Sequence, residues 1–158
     1  RIEYQLQSKP SPNLPNLKSI NLYPSLCFFE QTPVSVGRGT EMQFQVIGSP
    51  DWNNQPFSFI PKPNFGAKNP KHKGQICYGE NLKTVTFLNE IKLSWLIEAY
   101  QNSKNKSVFF NSFFTKLAGQ TMLQSQIENG WTALEIKKSW THDLNHFKEK
   151  RAKYLLYP

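Results

Sequence analysis

The stretch Leu22 to Thr40, LYPSLCFFEQTPVSVGRGT, decides how the chain is read. Its apolar first half predicts a strand region from Lys18 to Phe29, with Ile20, Leu22, Leu26 and Phe28 on one alternation and Pro24 breaking it locally. The apolar run stops at one carboxylate, Glu30. A turn then leads into a second short strand, Val34-Ser35-Val36, which ends in Gly37-Arg38-Gly39-Thr40. An acid and an arginine delivered by adjacent strand ends make a polar site.

Glu30 directly follows Cys27-Phe28-Phe29, and partial desolvation there suits a carboxyl to general acid work. The competing reading is an exposed strand-end glutamate, or one neutralised by Arg38. Arg38 between two glycines suits bidentate capture of a carboxylate, since glycine lets a ligand approach the backbone and the planar guanidinium fixes its orientation. A turn-supporting arginine paired within the fold is the alternative. Gly37 and Gly39 are too short a pattern for a dinucleotide fingerprint, which also needs a helix directly afterwards.

Outward from this stretch, Glu41 to Ile47 alternates Met42, Phe44 and Val46 with Glu41, Gln43 and Gln45, a half-buried strand pattern stopped by Gly48-Ser49-Pro50-Asp51. Phe57 to Pro61, Ile76 to Gly79 and Lys83 to Leu88 are further short strands. Between them, KPNFGAKNPKHKG (62–74) is a long irregular loop of the kind that is either functional or mobile. At the other end, Pro10, Pro12 and Pro15 make residues 1–17 an extended linker arriving from something upstream.

The period changes after Asn89, a predicted helix cap: Ile91, Trp95, Leu96, Ala99 and Tyr100 fall on one helical face. Ser112 to Ala118 is a short Phe-rich helix that Gly119 ends, and Thr121 to Glu128 is another. The last helix opens on the capping box Thr132 to Glu135 and continues through Ile136, Trp140, Leu144, Phe147, Arg151 and Tyr154. Strands first and helices second imply an α+β fold, a mainly antiparallel sheet from the N-terminal half with the helices of the C-terminal half packed on one face.

With 158 residues, 38% of them apolar and 14% aromatic, the chain can bury one substantial core without disulfides. The net charge of +8 invites an anionic partner, yet it is spread out: Glu135 to Lys153 holds six Lys/Arg against three acids. Phe28, Phe29, Phe44 and Phe113 sit in apolar runs, so they are assigned to core and not to a base-stacking surface, and no nucleic acid partner is expected. No apolar run reaches the ~18 to 20 residues of a membrane span. The start, Arg1-Ile2-Glu3-Tyr4, has no signal-peptide anatomy and fits a fragment or processed product.

Cys27 and Cys77 read as small buried hydrophobes; a disulfide between them stays open, and they do not form a metal-type pair. His142 and His146 have metal-compatible i, i+4 spacing, but HDLNH lacks both a Glu at its second position and a third ligand, so they are taken as a solvent-facing pair. Neither a triad-hydrolase nor a P-loop pattern occurs, and no cofactor or metal is expected.

The strings YPSLCFFEQTPVSVGRGT (23–40), FQVIGSP (44–50), GQICYGENL (74–82), LAGQTMLQSQIENG (117–130) and EIKKSWTHDLNHFKEKRAKYLLY (135–157) closely resemble the C-terminal region of the NamZ family. These are exo-β-N-acetylmuramidases of bacterial peptidoglycan recycling. The resemblance implies a two-part enzyme: a Rossmann-like N-terminal domain, and a smaller C-terminal α+β domain, here residues 18–158, that completes the cleft between them. It implies hydrolysis of terminal β-1,4-linked N-acetylmuramic acid from peptidoglycan fragments, muramic acid glycans as partners, and a periplasmic or extracellular setting. By position, Glu30, Ser35, Arg38 and Thr40 match the family's FEGT and SVGRGT signatures, with Glu30 as candidate catalytic residue and the other three as candidate substrate-binding residues. Gln31 stands where the family usually has Gly, and Ser49 where His is common. A non-catalytic peptidoglycan-binding module is the alternative function.

Overall fold

A computed structural model describes residues 6–53 and 55–156; residues 1–5 of the predicted linker lie outside the described residues. In chain order the elements are α1 (Leu17–Leu26), a 3₁₀ turn (Cys27–Gln31), β1 (Val46–Ser49), β2 (Phe57–Phe59), β3 (Cys77–Asn81), α2 (Ser94–Gln101), α3 (Phe114–Ala118), α4 (Met122–Glu128), α5 (Ala133–Ser139) and α6 (Thr141–Ala152), with a further short 3₁₀ turn at Lys106–Val108. The class is α+β, as the order of patterns predicts. The sheet is antiparallel with order β1-β3-β2.

The opening strand region is a helix. Asn16 caps it: its Oδ1 accepts from the Ser19 amide at 2.9 Å while the Ser19 hydroxyl accepts from the Asn16 amide at 3.3 Å. The buried positions Leu22, Leu26 and Phe29 are spaced four and three residues apart, a helical stripe and not an alternation. Pro24 withholds one donor inside the helix, and by Cys27 the chain has tightened into the 3₁₀ turn. Val34–Val36 is also less than a strand; Ser35 alone bridges to Gly48 on the outer edge of β1, with N···O distances of 2.8 and 3.0 Å.

Two other predicted strands shrink for a shared reason, which is that their backbone groups find partners outside the sheet. In Glu41–Ile47 the alternation is interrupted at Phe44, whose left-handed φ of 53° lets its amide donate to the Val36 carbonyl at 2.8 Å. Only Val46 onward joins the sheet. Lys83–Leu88 forms no strand; its end is hooked to the polar side of α1, where Asn21 exchanges two 2.8 Å bonds with the Leu88 backbone. A third hook, from the Lys92 amide to Ser25 Oγ at 2.9 Å, keeps Asn89–Lys92 out of α2, whose N-cap is Leu93 and not Asn89.

β1 separates two apolar regions. Ile47 points into the main core with Leu22, Leu26, Phe29, Leu96, Phe109, Phe114 and Ile136, while Val46 faces a small cluster with Phe59 and Cys77. The helices therefore cover one face of the sheet. Phe110 ties the helical layer together, its ring 4.3 Å from Phe114 and 4.9 Å from Phe109. Neither cysteine is bonded: Cys77 is fully buried and Cys27 partly so. Gly119 ends α3 at φ 74° as predicted, and the Thr132–Glu135 capping box opens α5. The predicted last helix divides at Trp140 into α5 and α6, and α6 buries none of its residues, leaving Leu144 and Phe147 exposed.

Gly37 turns the chain at φ 76°, and a Cβ there would meet Val46 Cγ2 at 2.6 Å and the Met42 carbonyl oxygen at 2.7 Å. Gly37→Ala should therefore cost about 2–4 kcal/mol, combining the left-handed penalty with overpacking. At Gly119, equally left-handed but with nothing within 4 Å, Ala should cost only about 1–2 kcal/mol. Denaturant unfolding of both variants checks the contrast; equal losses would mean that the contacts around Gly37 relax freely.

Candidate functional site

Because α1 and its 3₁₀ extension are helical, Tyr23, Cys27 and Glu30 fall at i, i+4 and i+7 along the stripe beside the buried one. The strand reading had separated them. Burial and then the Glu30 carboxylate push the Cys27 thiol up, and the same two causes in the same order push the Tyr23 phenol up. Tyr23 also packs edge-on to Phe44, with ring centroids 5.0 Å apart.

Glu30 and Arg38 come together directly. Arg38 Nη1 donates to Glu30 Oε1 at 2.6 Å, with 43% of the arginine side chain and 23% of the glutamate exposed. This is the only side-chain hydrogen bond of Arg38 among the described residues, so its Nε and Nη2 edge carries no protein acceptor. The pair borders a half-open cavity of about 440 Å³, whose other wall is the loop Gly66 to Lys71.

The remaining predicted site residues divide. Ser35 lines the cavity but is almost fully buried, and its hydroxyl accepts from the Gly37 amide at 3.2 Å. Thr40 is absent from the lining; its hydroxyl donates to the Gly37 carbonyl at 2.7 Å and accepts from the Met42 amide at 2.9 Å, which commits it to the turn. Both therefore hold the shape of the loop that presents Arg38. Ser49 is buried, and Gln31 hydrogen-bonds to Asn111.

Sequence reasoning missed Lys71. Its ammonium donates to the carbonyls of Phe29 and Val34, both at 3.0 Å, and of Thr32, while the neighbouring His72 donates from Nε2 to the Pro33 carbonyl. Each of its three N–H donors thus has a backbone acceptor. His72 sits at φ 56°, an uncommon conformation for a residue other than glycine. Desolvation lowers the Lys71 amine to about 8, opposed by Glu30 and assisted by Arg38. Nothing in residue type distinguishes Lys71 from Lys62, Lys68 and Lys73 in the same loop.

With this geometry in view, the comparisons with known proteins are decisive. The family described as "Exo-beta-N-acetylmuramidase NamZ, C-terminal" matches residues 21–157. The chain belongs to this family. It is 30% identical to the peptidoglycan β-N-acetylmuramidase NamZ of Bacillus subtilis over 94% of this chain and 40% of that protein. A crystal structure of a DUF1343 family protein from Bacteroides fragilis superposes with a TM-score of 0.91 at 44% identity, covering 99% of this chain and 46% of that one. A second DUF1343 structure from the same organism, 18% identical, shares the fold with a TM-score of 0.68. The chain thus spans less than half the length of these NamZ and DUF1343 proteins.

Lys71 offers a pH test of the site. Its folded-state value of about 8 lies below its ordinary 10.5, so between those values the unfolded chain holds a proton that the folded chain has released. Stability contributed at this position then rises with pH, by at most about 1.4 kcal/mol per unit. Lys71→Met leaves three carbonyls without their donor and should be destabilised at pH 7. Its deficit against the parent should widen from pH 8 to 10.5, as read by denaturant unfolding; a constant or shrinking deficit would place the Lys71 titration elsewhere.

Proposed function

We propose that this domain forms one wall of the active-site cleft of an exo-β-N-acetylmuramidase that releases terminal β-1,4-linked N-acetylmuramic acid from peptidoglycan fragments. The observation that carries the reading is the Glu30–Arg38 pair at the mouth of the cavity. N-acetylmuramic acid bears a lactyl carboxylate. With Nη1 engaged by Glu30, the Nε and Nη2 edge of Arg38 can take that carboxylate bidentately. Glu30 then orients the sugar or serves as one member of a catalytic carboxylate pair.

Glycoside hydrolysis requires two carboxyl groups across the scissile bond in most mechanisms. Glu30 is the one carboxylate among the residues lining this cavity. On this reading the second comes from a Rossmann-like domain of the same enzyme, with residues 6–16 leading in from it, and the enzyme works outside the cytoplasm on cell-wall fragments. The single carboxylate also gives substance to a second reading, a peptidoglycan-binding module without catalysis of its own.

Residues 1–158 alone should release no N-acetylmuramic acid from peptidoglycan fragments and bind them only weakly, by chromatographic and calorimetric measurement. Release by this chain alone would overturn the wall reading, and tight unaided binding would favour the module. In the complete enzyme, Arg38→Ala should lower kcat/KM by about 10- to 100-fold, the range of one to two charge-assisted hydrogen bonds. The loss should be smaller for an N-acetylglucosamine substrate lacking the lactyl group; an equal loss on both would remove Arg38 from carboxylate recognition.

A further inference from the structure

The loop that walls the cavity has a second side. Its turn Asn64–Ala67 closes on two backbone bonds, with N···O distances of 3.0 and 3.2 Å, and Asn64 Oδ1 also accepts from the Ala67 amide at 2.9 Å. The tip is tied down from outside the loop as well: Asn13 Nδ2 donates to the Gly66 carbonyl at 2.7 Å, and a Cβ on Gly66 would meet Pro12 Cβ at 3.0 Å. Phe65 at this fixed tip is 92% exposed, more than any other large apolar side chain among the described residues. A single exposed ring is ordinary on a protein surface. This one borders a groove.

The groove, of about 360 Å³, is open to solvent and adjoins the cavity across the turn: Ala67 lines the cavity, Asn64 and Phe65 line the groove, and Gly66 lines both. Gln43 lines it from the segment before β1; it is 6% exposed, and its Oε1 has no hydrogen-bond partner among the described residues. A buried acceptor without a donor costs free energy that a ligand N–H or O–H recovers. Charge separates the two sites. The cavity is lined by Arg38, Lys68 and Lys71 against Glu30, whereas the groove has Lys9 balanced by Glu41. The cavity thus favours an anion, and the groove a neutral ligand with one apolar face and a few polar groups. An N-acetylhexosamine ring has that character, since its C–H face can cover an aromatic ring while its acetamido N–H and hydroxyls donate to an amide oxygen.

We propose that the groove between Phe65 and Gln43 is a subsite for the neutral N-acetylglucosamine ring that adjoins the muramic acid of a peptidoglycan fragment. This rests on the reading in which Arg38 takes the lactyl carboxylate, because the two sites then hold successive sugars of one chain on either side of the Asn64–Ala67 turn. Phe65 stacks on the C–H face of the ring, and Gln43 Oε1 accepts from its acetamido N–H or a hydroxyl. Phe65 therefore sets affinity for the leaving sugar and takes no part in breaking the bond.

The probe is N-acetylglucosamine, titrated into residues 1–158 and followed by the NMR shifts of the Gln43 side-chain amide and the Gly66 backbone amide. Both signals should move saturably with a millimolar Kd; Phe65→Ala should weaken binding about tenfold, and Arg38→Ala by less than about twofold. Because Phe65 is exposed, its replacement should leave the denaturant midpoint unchanged, which separates lost binding from lost folding. In the complete enzyme, Phe65→Ala should raise KM for the muramic acid–N-acetylglucosamine disaccharide about 5- to 20-fold with little change in kcat. Absent shifts, or shifts undiminished by Phe65→Ala, would overturn the proposal. So would a parental KM in the complete Phe65→Ala enzyme, the result expected if the ring only packs against the remainder of the longer protein. Saturable binding that depends on Phe65, in a protein that releases no N-acetylmuramic acid, keeps the subsite and counts against the catalytic reading alone.

Discussion

Between Phe29 and Val34 the chain leaves a 3₁₀ turn and crosses to the edge of β1, and in doing so it turns the carbonyls of Phe29, Thr32 and Val34, in partly buried bonds, and that of Pro33, in an exposed one, toward the loop that carries Lys71 and His72. Carbonyls placed this way need donors, because an unpaired buried acceptor costs about as much as a lost hydrogen bond. Lys71 and His72 supply them, serving the carbonyls of Phe29, Thr32, Val34 and Pro33 from a loop some forty residues away in sequence. The site depends on this junction. It brings the loop that forms one wall of the cavity against the turn that carries Glu30, and the left-handed conformation of His72 is the local strain that lets two successive side chains reach four carbonyls. Gly39 completes the connection, its carbonyl accepting from the Lys62 amide at 2.8 Å where the same loop begins.

The parts of the fold legible in the sequence were those governed by local chemistry. The capping box at Thr132, the glycine that ends α3 and the change of period near residue 90 all depend on neighbours within a few positions, and all appear in the structure. The opening helix was illegible because two periods overlap in it. Ile20, Leu22, Leu26 and Phe28 satisfy an alternation, whereas Leu22, Leu26 and Phe29 satisfy a helix, and Pro24 argued against the correct one. The Asn16 and Ser19 cap was the signal that could have decided it. Lys83 to Leu88 has strand composition but spends its hydrogen bonds on Asn21 and the α1 side chains, a choice set by tertiary contacts and invisible in a local window.

Within the site, Glu30 and Arg38 were legible because a carboxylate ending an apolar run and an arginine between glycines are local exceptions to their surroundings. Lys71 was not, since burial and not residue type distinguishes it from its neighbours. Tyr23 and Cys27 were hidden by the same misreading of period that hid α1: as a strand, the stretch sends Tyr23 and Cys27 to one face and Glu30 to the other, while as a helix it aligns all three.

The two cations of the site are held in opposite ways, and the difference bears on what each can do. Lys71 is enclosed, each of its protons taken by a backbone carbonyl, so a ligand could gain it only by breaking the junction that shapes the cavity. Arg38 is half exposed, and its bond to Glu30 is an ion pair in contact with solvent, of a kind whose net worth is about 0–1 kcal/mol. Such a pair orients both groups at rest and yields readily to a competing carboxylate or hydroxyl. A fixed ammonium beside an exchangeable arginine and glutamate means that the scaffold keeps its shape while only the inexpensive contact is remade.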